Sequence, residues 1–302
     1  MIELLILTSP PASGKTFWIK TFQEVIEKKL LVISPLRALA DECRSRWGED
    51  VTVMTPEEWL IHGNYHEVVI FDEFHLLTYW GDSFRPRMWE AFEDLSAHAE
   101  FVIGLTATFS RSFQERVELF SCHFDRILWS DHGNMKLKYL PCSYLHLSKD
   151  LMEKSIVNLK PRGTSLIFCQ YREEVLEWDK KIRSAGHRTW SCRGGEAAAF
   201  RKRVVEESPP DFIISTTVLS HGVNLPVISR IFFLYPVRNT DFWIQMTARG
   251  GRTGERFEVF ALEPPHGLRW GRFSNIVSLS FLYLRILKEI FLTQLEQCFL
   301  KE

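Results

Sequence analysis

No pair of cysteines in this 302-residue chain has Cys-x-x-Cys spacing. Cys43, Cys122, Cys142, Cys169, Cys192 and Cys298 are scattered, with no Cys/His spacing that suits zinc or an iron–sulfur cluster. That excludes a small metal-stapled module and leaves reduced, structural thiols as the expectation. Apolar runs of bilayer length are also missing. Met1 to Leu7 is too short for a signal-peptide core and lacks a basic lead. Ser278 to Leu292 is broken by Arg285, Lys288 and Glu289, short of the roughly 20 residues that span a bilayer. A soluble, cytoplasmic protein without a membrane partner is expected. There is no low-complexity tract or short repeat.

Excess charge is nearly absent too, at a formal net of -1, yet the charge is unevenly placed. Residues 1–140 carry 14 Lys+Arg against 21 Asp+Glu, and the remainder 23 against 17, so the second half is the better source of phosphate-facing charge. A merely solvated surface would carry the same charges. What the chain has in quantity is apolar and aromatic mass. Hydrophobic residues make up 45%, with 23 Phe and 10 Trp, enough for large cores. The length suits two domains of about 150 residues each.

Short apolar runs alternate with helical stretches, the pattern of an α/β fold with parallel sheets flanked by helices. Strands are expected at Leu4 to Leu7, Leu30 to Ile33, Val68 to Phe71 and Phe101 to Leu105. A connecting region follows from about Ser110 to Lys149, with a strand-like Arg126 to Trp129. A second set of strands is expected at Ser165 to Phe168, Phe212 to Ser215 and Arg230 to Leu234, with helices near Tyr171 to Ala185 and Glu196 to Glu207. The tail from Asn275 to Phe299 reads as helix. Ligands of open parallel sheets bind beyond the carboxyl ends of the strands. That edge holds Ser9 to Thr16, Ser34 to Arg37, Asp72 to His75 and Thr106 to Thr108.

Three of these segments suggest chemistry. A glycine turn between strand and helix presents N–H groups to phosphate, while Lys neutralises the outer phosphates and Thr reaches a magnesium ion. Ser13, Gly14, Lys15 and Thr16 fit those roles, with Ser9 where the strict pattern begins in Gly. The apolar run Val68 to Phe71 delivers Asp72 and Glu73 at its tip, one acid for the metal and one to take the proton of an attacking water. An acidic pair there can also simply cap a helix. In Gln245-Met246-Thr247-Ala248-Arg249-Gly250-Gly251-Arg252, the two arginines are three apart on an expected helix. They would point the same way, toward a γ-phosphate or into surface ion pairs.

Ser9 to Thr16, Ser34 to Leu39, Met54 to Glu57, Asp72 to His75, Thr106 to Thr108, Ile167 to Cys169, Thr216 to Pro226 and Gln245 to Arg252 resemble motifs I, Ia, Ib, II, III, IV, V and VI of the superfamily 2 helicases. The wording of motifs II, V and VI is most similar to the Ski-like DExH branch. The resemblance implies two tandem RecA-like domains, at 1–140 and 141–264, with a helical extension at 265–302. It also implies ATP with Mg2+ as the fuel and single-stranded or forked nucleic acid, DNA or RNA, as the partner.

The family's roles carry over by position. Lys15 and Thr16 would serve phosphate and magnesium, and Asp72 and Glu73 metal and water. His75 would link to Gln245, and Arg249 and Arg252 would be the fingers. Gly222 and Asn224 would lie on the nucleotide side, Thr106 and Thr108 would couple the sites, and Pro35, Arg37, Thr55, Pro56, Thr216 and Thr217 would hold the nucleic-acid backbone. Thr55-Pro56 is also an ordinary helix start, and a helix N-terminus is itself a phosphate site.

Ala12 and Thr217 depart from the usual motif residues. The short stretch before Ser9 leaves no room for the glutamine motif that reads adenine in many relatives, so ATP preference rests on the resemblance. Accessory domains are not recognisable, which suggests a protein partner supplying their functions. The insert Thr78 to Arg87, with aromatics, Arg85 and Arg87, reads as a strand-contacting loop or as a core-packing one. The leading expectation is an ATP-dependent helicase. Alternatives are a remodelling or annealing ATPase that does not separate strands, a small-molecule P-loop kinase, and a nucleotide-regulated binding module.

Overall fold

The computed structural model describes residues 3–10, 15–26, 28–47, 51–81, 85–107, 111–119, 121–131, 141–158, 162–220 and 223–262. The chain divides into two compact units, Met1–Lys138 and Tyr139–Glu302.

The first unit is built on β1 (Glu3–Thr8), β2 (Leu30–Ile33), β3 (Thr52–Met54), β4 (Val68–Phe71), β5 (Phe101–Thr106) and β6 (Arg126–Asp131). They form one sheet in the order β3-β2-β4-β5-β1-β6, with every pairing parallel. Between the strands run α1 (Lys15–Val25), α2 (Arg37–Trp47), α3 (Pro56–His62), α4 (His75–Trp80), α5 (Arg87–His98) and α6 (Arg111–Glu118). Parallel strands need such crossovers, and a sheet covered on both faces selects apolar strands. Accordingly β2 (Leu-Leu-Val-Ile) and β4 (Val-Val-Ile-Phe) are buried at every residue. Leu30, Val32, Ile70, Ile103 and Leu105 pack with Ile19, Ala40 and Trp47 from the helices.

The second unit repeats the plan. Its strands are β7 (Ser143–His146), β8 (Thr164–Phe168), β9 (Thr189–Cys192), β10 (Phe212–Ser215), β11 (Ile228–Phe233) and β12 (Glu258–Ala261). Their order is β7-β12-β11-β8-β10-β9, again all parallel. The helices are α7 (Lys149–Asn158), α8 (Arg172–Ser184), α9 (Ala197–Glu206) and α10 (Thr240–Thr247). At the start of α8, Glu174 accepts the backbone N–H groups of Gln170 and Tyr171 at 2.8 and 3.1 Å. Lys181 and Arg183 stand in its last turn, where cations complement the helix dipole. Arg230 and Glu258 face each other in register across β11 and β12, paired at 3.3 Å with both side chains largely buried.

Every expected strand is present. β3, β7, β9 and β12 were not expected, because three or four residues such as Thr-Trp-Ser-Cys or Ser-Tyr-Leu-His carry too little alternation or apolar content to stand out. The expected tail helix lies outside the described residues. Among the described residues no helix is long and apolar enough to cross a membrane.

Candidate active site

The carboxyl edge of the first sheet gathers the expected residues. Ser9, just past β1, donates its N–H to the Thr106 carbonyl at the end of β5 at 3.1 Å, which fixes where the chain leaves the sheet. Lys15 opens α1, and its Nζ donates to the carbonyls of Ser9 and Pro10 at 3.1 and 3.2 Å. Burial pushes the Lys15 ammonium below its ordinary pKa, while the charges of Glu73 and Asp72 oppose that shift. Ser13 and Gly14 lie outside the described residues, and Thr16 is described only as a backbone position in α1.

Beyond β4 the chain is held on both sides. The Asp72 N–H donates to Ile33 of β2 at 2.9 Å and the Phe74 N–H to Leu105 of β5 at 2.8 Å. Between these anchors Glu73 takes φ +49°, the single left-handed non-glycine among the described residues, and its N–H donates to Asp72 Oδ1 at 3.0 Å. Burial, followed by the adjacent Glu73 charge, raises the Asp72 carboxyl to about 7 against the pull of Lys15. Two neighbouring acids that disfavour each other's charge form a donor set that a divalent cation stabilises. Mg2+ uses one or two carboxylates plus substrate phosphates. Among the described residues there is no group of three or more Asp, Glu, His or Cys for a metal held by protein alone.

His75, fully buried, joins this acid pair to β5. Its Nδ1 lies 3.1 Å from Thr106 Oγ1 and 3.6 Å from Glu73 Oε2, and its carbonyl accepts the Thr78 hydroxyl at 2.8 Å. His75 and Thr106 are thus in direct contact inside one unit. Thr108 lies outside the described residues.

On the same edge Pro35 and Thr55 are buried, and Arg37 opens α2 exposed. Thr55 caps α3. Its hydroxyl accepts the Glu58 N–H at 3.3 Å, Glu58 returns a carboxylate to the Thr55 N–H at 2.8 Å, and Pro56 takes the first helical position. Sequence reasoning missed the brace beside it. Arg85 grips both carboxylate oxygens of Glu57 at 2.6 and 2.7 Å and also donates to the Pro35 carbonyl. Arg85 of the insert is thus engaged with α3 and the segment after β2. Arg87 opens α5 exposed.

In the second unit Thr216 and Thr217 follow β10, with Thr217 exposed at the start of a short 3-10 turn, Thr217–Ser220. Asn224 is exposed, and Gly222 lies outside the described residues. Helix α10 is capped by the Asn239 side chain, which accepts the N–H groups of Asp241 and Phe242. It buries Gln245 and ends at Thr247. The expectation that Arg249 and Arg252 share a helix face is therefore incorrect. Gly250 and Gly251 follow at once, and Gly251 at φ +66° turns the chain. Arg249 is buried and donates from Nε to the Ser220 carbonyl at 3.0 Å and from Nη1 to the Val223 carbonyl at 2.8 Å. Arg252 is half-buried.

Known proteins fit this geometry. Residues 44–117 match the DEAD/DEAH box helicase family and residues 146–254 the helicase conserved C-terminal domain. The chain belongs to the superfamily 2 helicases. The ATP-dependent DNA helicase RecQ of Haemophilus influenzae is 22% identical over 220 residues, which are 67% of this chain and 33% of that protein. This helicase chain thus spans about a third of that relative's length. S. cerevisiae Dbp5 bound to RNA and ADP BeF3 superposes with a TM-score of 0.66 at 15% identity, covering 95% of this chain and 83% of that one. Mycobacterium smegmatis helicase Lhr bound to ssDNA and AMP-PNP gives 0.62 at 15% identity, covering 85% and 43%. These likenesses establish two tandem RecA-like domains.

Within the helicase core, motif II is fixed by β4 and β5 and meets motif III through His75 and Thr106. Motif VI meets motif V through Arg249. Each contact is internal to its own unit.

Proposed function

We propose that this helicase core hydrolyses ATP in response to nucleic acid and couples the turnover to translocation on, or unwinding of, DNA or RNA. The observation that carries the proposal is the acid pair Asp72-Glu73, set against Lys15 and tied through His75 to Thr106. In this reading Ser13, Gly14, Lys15 and Thr16 hold the phosphates, and Thr16 and Asp72 bind Mg2+, which supplies charge neutralisation to the phosphoryl group when present. Glu73 takes the proton of the attacking water. Arg252 faces the transferring phosphoryl group, while Arg249, committed to two backbone carbonyls, holds motif V for it. Gly222 and Asn224 stand beside the nucleotide, Gln245 pairs functionally with His75, and Thr106 and Thr108 relay the coupling.

Pro35, Arg37, Thr55, Pro56, Thr216 and Thr217 would face the sugar–phosphate backbone. Such contacts position a strand without reading its bases. The matched family description covers both DEAD and DEAH forms, and the RecQ likeness points to a further branch. The DExH form here, Asp72-Glu73-Phe74-His75, supports the Ski-like branch by motif wording alone. Division at 1–140, 141–264 and 265–302, a cytoplasmic location and a protein partner supplying accessory functions complete the proposal.

The test is ATP hydrolysis measured with no nucleic acid, single-stranded DNA, single-stranded RNA and duplexes of each, repeated with Glu73→Gln. Stimulation by a single strand, with the variant binding ATP but losing about 10²-fold or more in rate, is expected. Hydrolysis indifferent to every nucleic acid would refute the reading. A forked-duplex assay separates unwinding from remodelling without strand separation.

A further inference from the structure

Phe74 occupies the third position of motif II, between the left-handed Glu73 and the buried His75. Its ring lies over β5, in a place that only glycine leaves open. A Cβ at Gly104 would stand 2.7 and 2.8 Å from Phe74 Cδ1 and Cγ. Gly104 has no positive φ, so its backbone would suit any residue, and space alone requires the missing side chain. The ring cannot retreat sideways. Phe71, Phe92 and Phe113 surround it with centroids at 6.2, 5.6 and 6.0 Å, and Phe74, Phe92 and Phe113 are all essentially fully buried. Phe74 is also tied by its N–H to Leu105, one residue after Gly104, and Thr106, the partner of His75, follows.

We propose that Phe74 and Gly104 form a matched pair that positions the catalytic acid. The ring seated on Gly104 sets the distance between the 72–75 turn and the end of β5, and so aims the Glu73 carboxylate and keeps His75 on Thr106. Both are positioning residues, and neither touches the reacting atoms. The inference rests on the assignment of Glu73 as the base. It adds that the aim of Glu73 depends on the size of two side chains behind it.

Gly104→Ala, Phe74→Leu and the double variant test this by ATP hydrolysis and by the His75 ring resonances in NMR, with circular dichroism to check folding. Gly104→Ala is expected to keep its KM for ATP within about threefold and to lose about 10- to 100-fold in kcat, as a displacement approaching 1 Å can cause. Its His75 signals should move. In Gly104→Ala/Phe74→Leu the smaller side chain makes room for the methyl, so kcat and the His75 signals should return toward wild type. A Gly104→Ala protein with wild-type kcat and unmoved His75 signals would overturn the inference. So would a folded double variant no better than the single one. A wild-type protein that does not hydrolyse ATP refutes the assignment of Glu73 instead. The His75 resonances then still decide whether the pair sets the turn.

Discussion

Arg249→Ala, compared with Arg252→Ala, tests the division between an arginine that holds backbone carbonyls and one proposed to serve the phosphoryl group. In the folded second unit the guanidinium is buried and makes two charge-assisted hydrogen bonds, to Ser220 at 3.0 Å and to Val223 at 2.8 Å. A hydrogen bond to a charged group contributes roughly 1.5–3 kcal/mol, so losing two costs about 3–6 kcal/mol. With a urea m-value of about 2 kcal/mol/M, the midpoint of the transition reporting the second unit falls by roughly 1.5–3 M. That transition can be followed by amide hydrogen exchange in α10, which carries the buried Trp243. Arg252→Ala, at a half-buried position, should lower that midpoint by less than Arg249→Ala does. Its ATPase rate should fall by about 10³-fold or more. The reasoning fails if Arg249→Ala unfolds at the wild-type urea concentration while losing as much ATPase as Arg252→Ala.

Breaking the buried Arg230–Glu258 pair by Arg230→Met should cost about 3–5 kcal/mol in denaturant unfolding, because Glu258 is left without the cation opposite it. Replacing both partners with apolar residues should recover most of that loss. Asp72 titrates at about 7 in the folded protein against 3.8 as an ordinary carboxyl. The folded state therefore holds this proton more tightly, and the group's contribution to stability is full below pH 4 and is lost as pH rises through 7. Against Asp72→Asn, the wild-type melting temperature should fall between pH 5 and 8, and magnesium with nucleotide should flatten the difference. A parallel pH dependence in the variant would contradict the shift. Gly250→Ala drives a methyl into the Phe257 ring and should cost about 1–3 kcal/mol by thermal unfolding.

The long apolar strands and the acid pair were legible because both are local signals. Val68 to Phe71 is an unbroken apolar run, and two acids follow it directly. The capping role of Thr55 was legible for the same reason, since the four residues Thr55-Pro56-Glu57-Glu58 contain the whole device. The contacts that decide roles were not. His75 meets Thr106 across 31 residues because parallel pairing sets Phe71 beside Gly104. Arg85 reaches Glu57 across 28, and Arg249 reaches Ser220 across 29. No periodicity in the sequence encodes such distances. The end of α10 was legible in principle, because Gly250-Gly251 stops helices, but the spacing of the two arginines suggested continuation.

With Glu73 as the proposed base, its left-handed backbone places conformational stability and turnover in opposition. A side chain at φ +49° costs on the order of 1–2 kcal/mol relative to glycine, so Glu73→Gly relieves strain and removes a buried charge at once. That variant should melt higher than the wild type and be inert. A library of this protein ranked by thermal resistance alone would therefore enrich dead enzymes at position 73. On the role proposed for Glu73, turnover rather than endurance is what a glutamate there would serve.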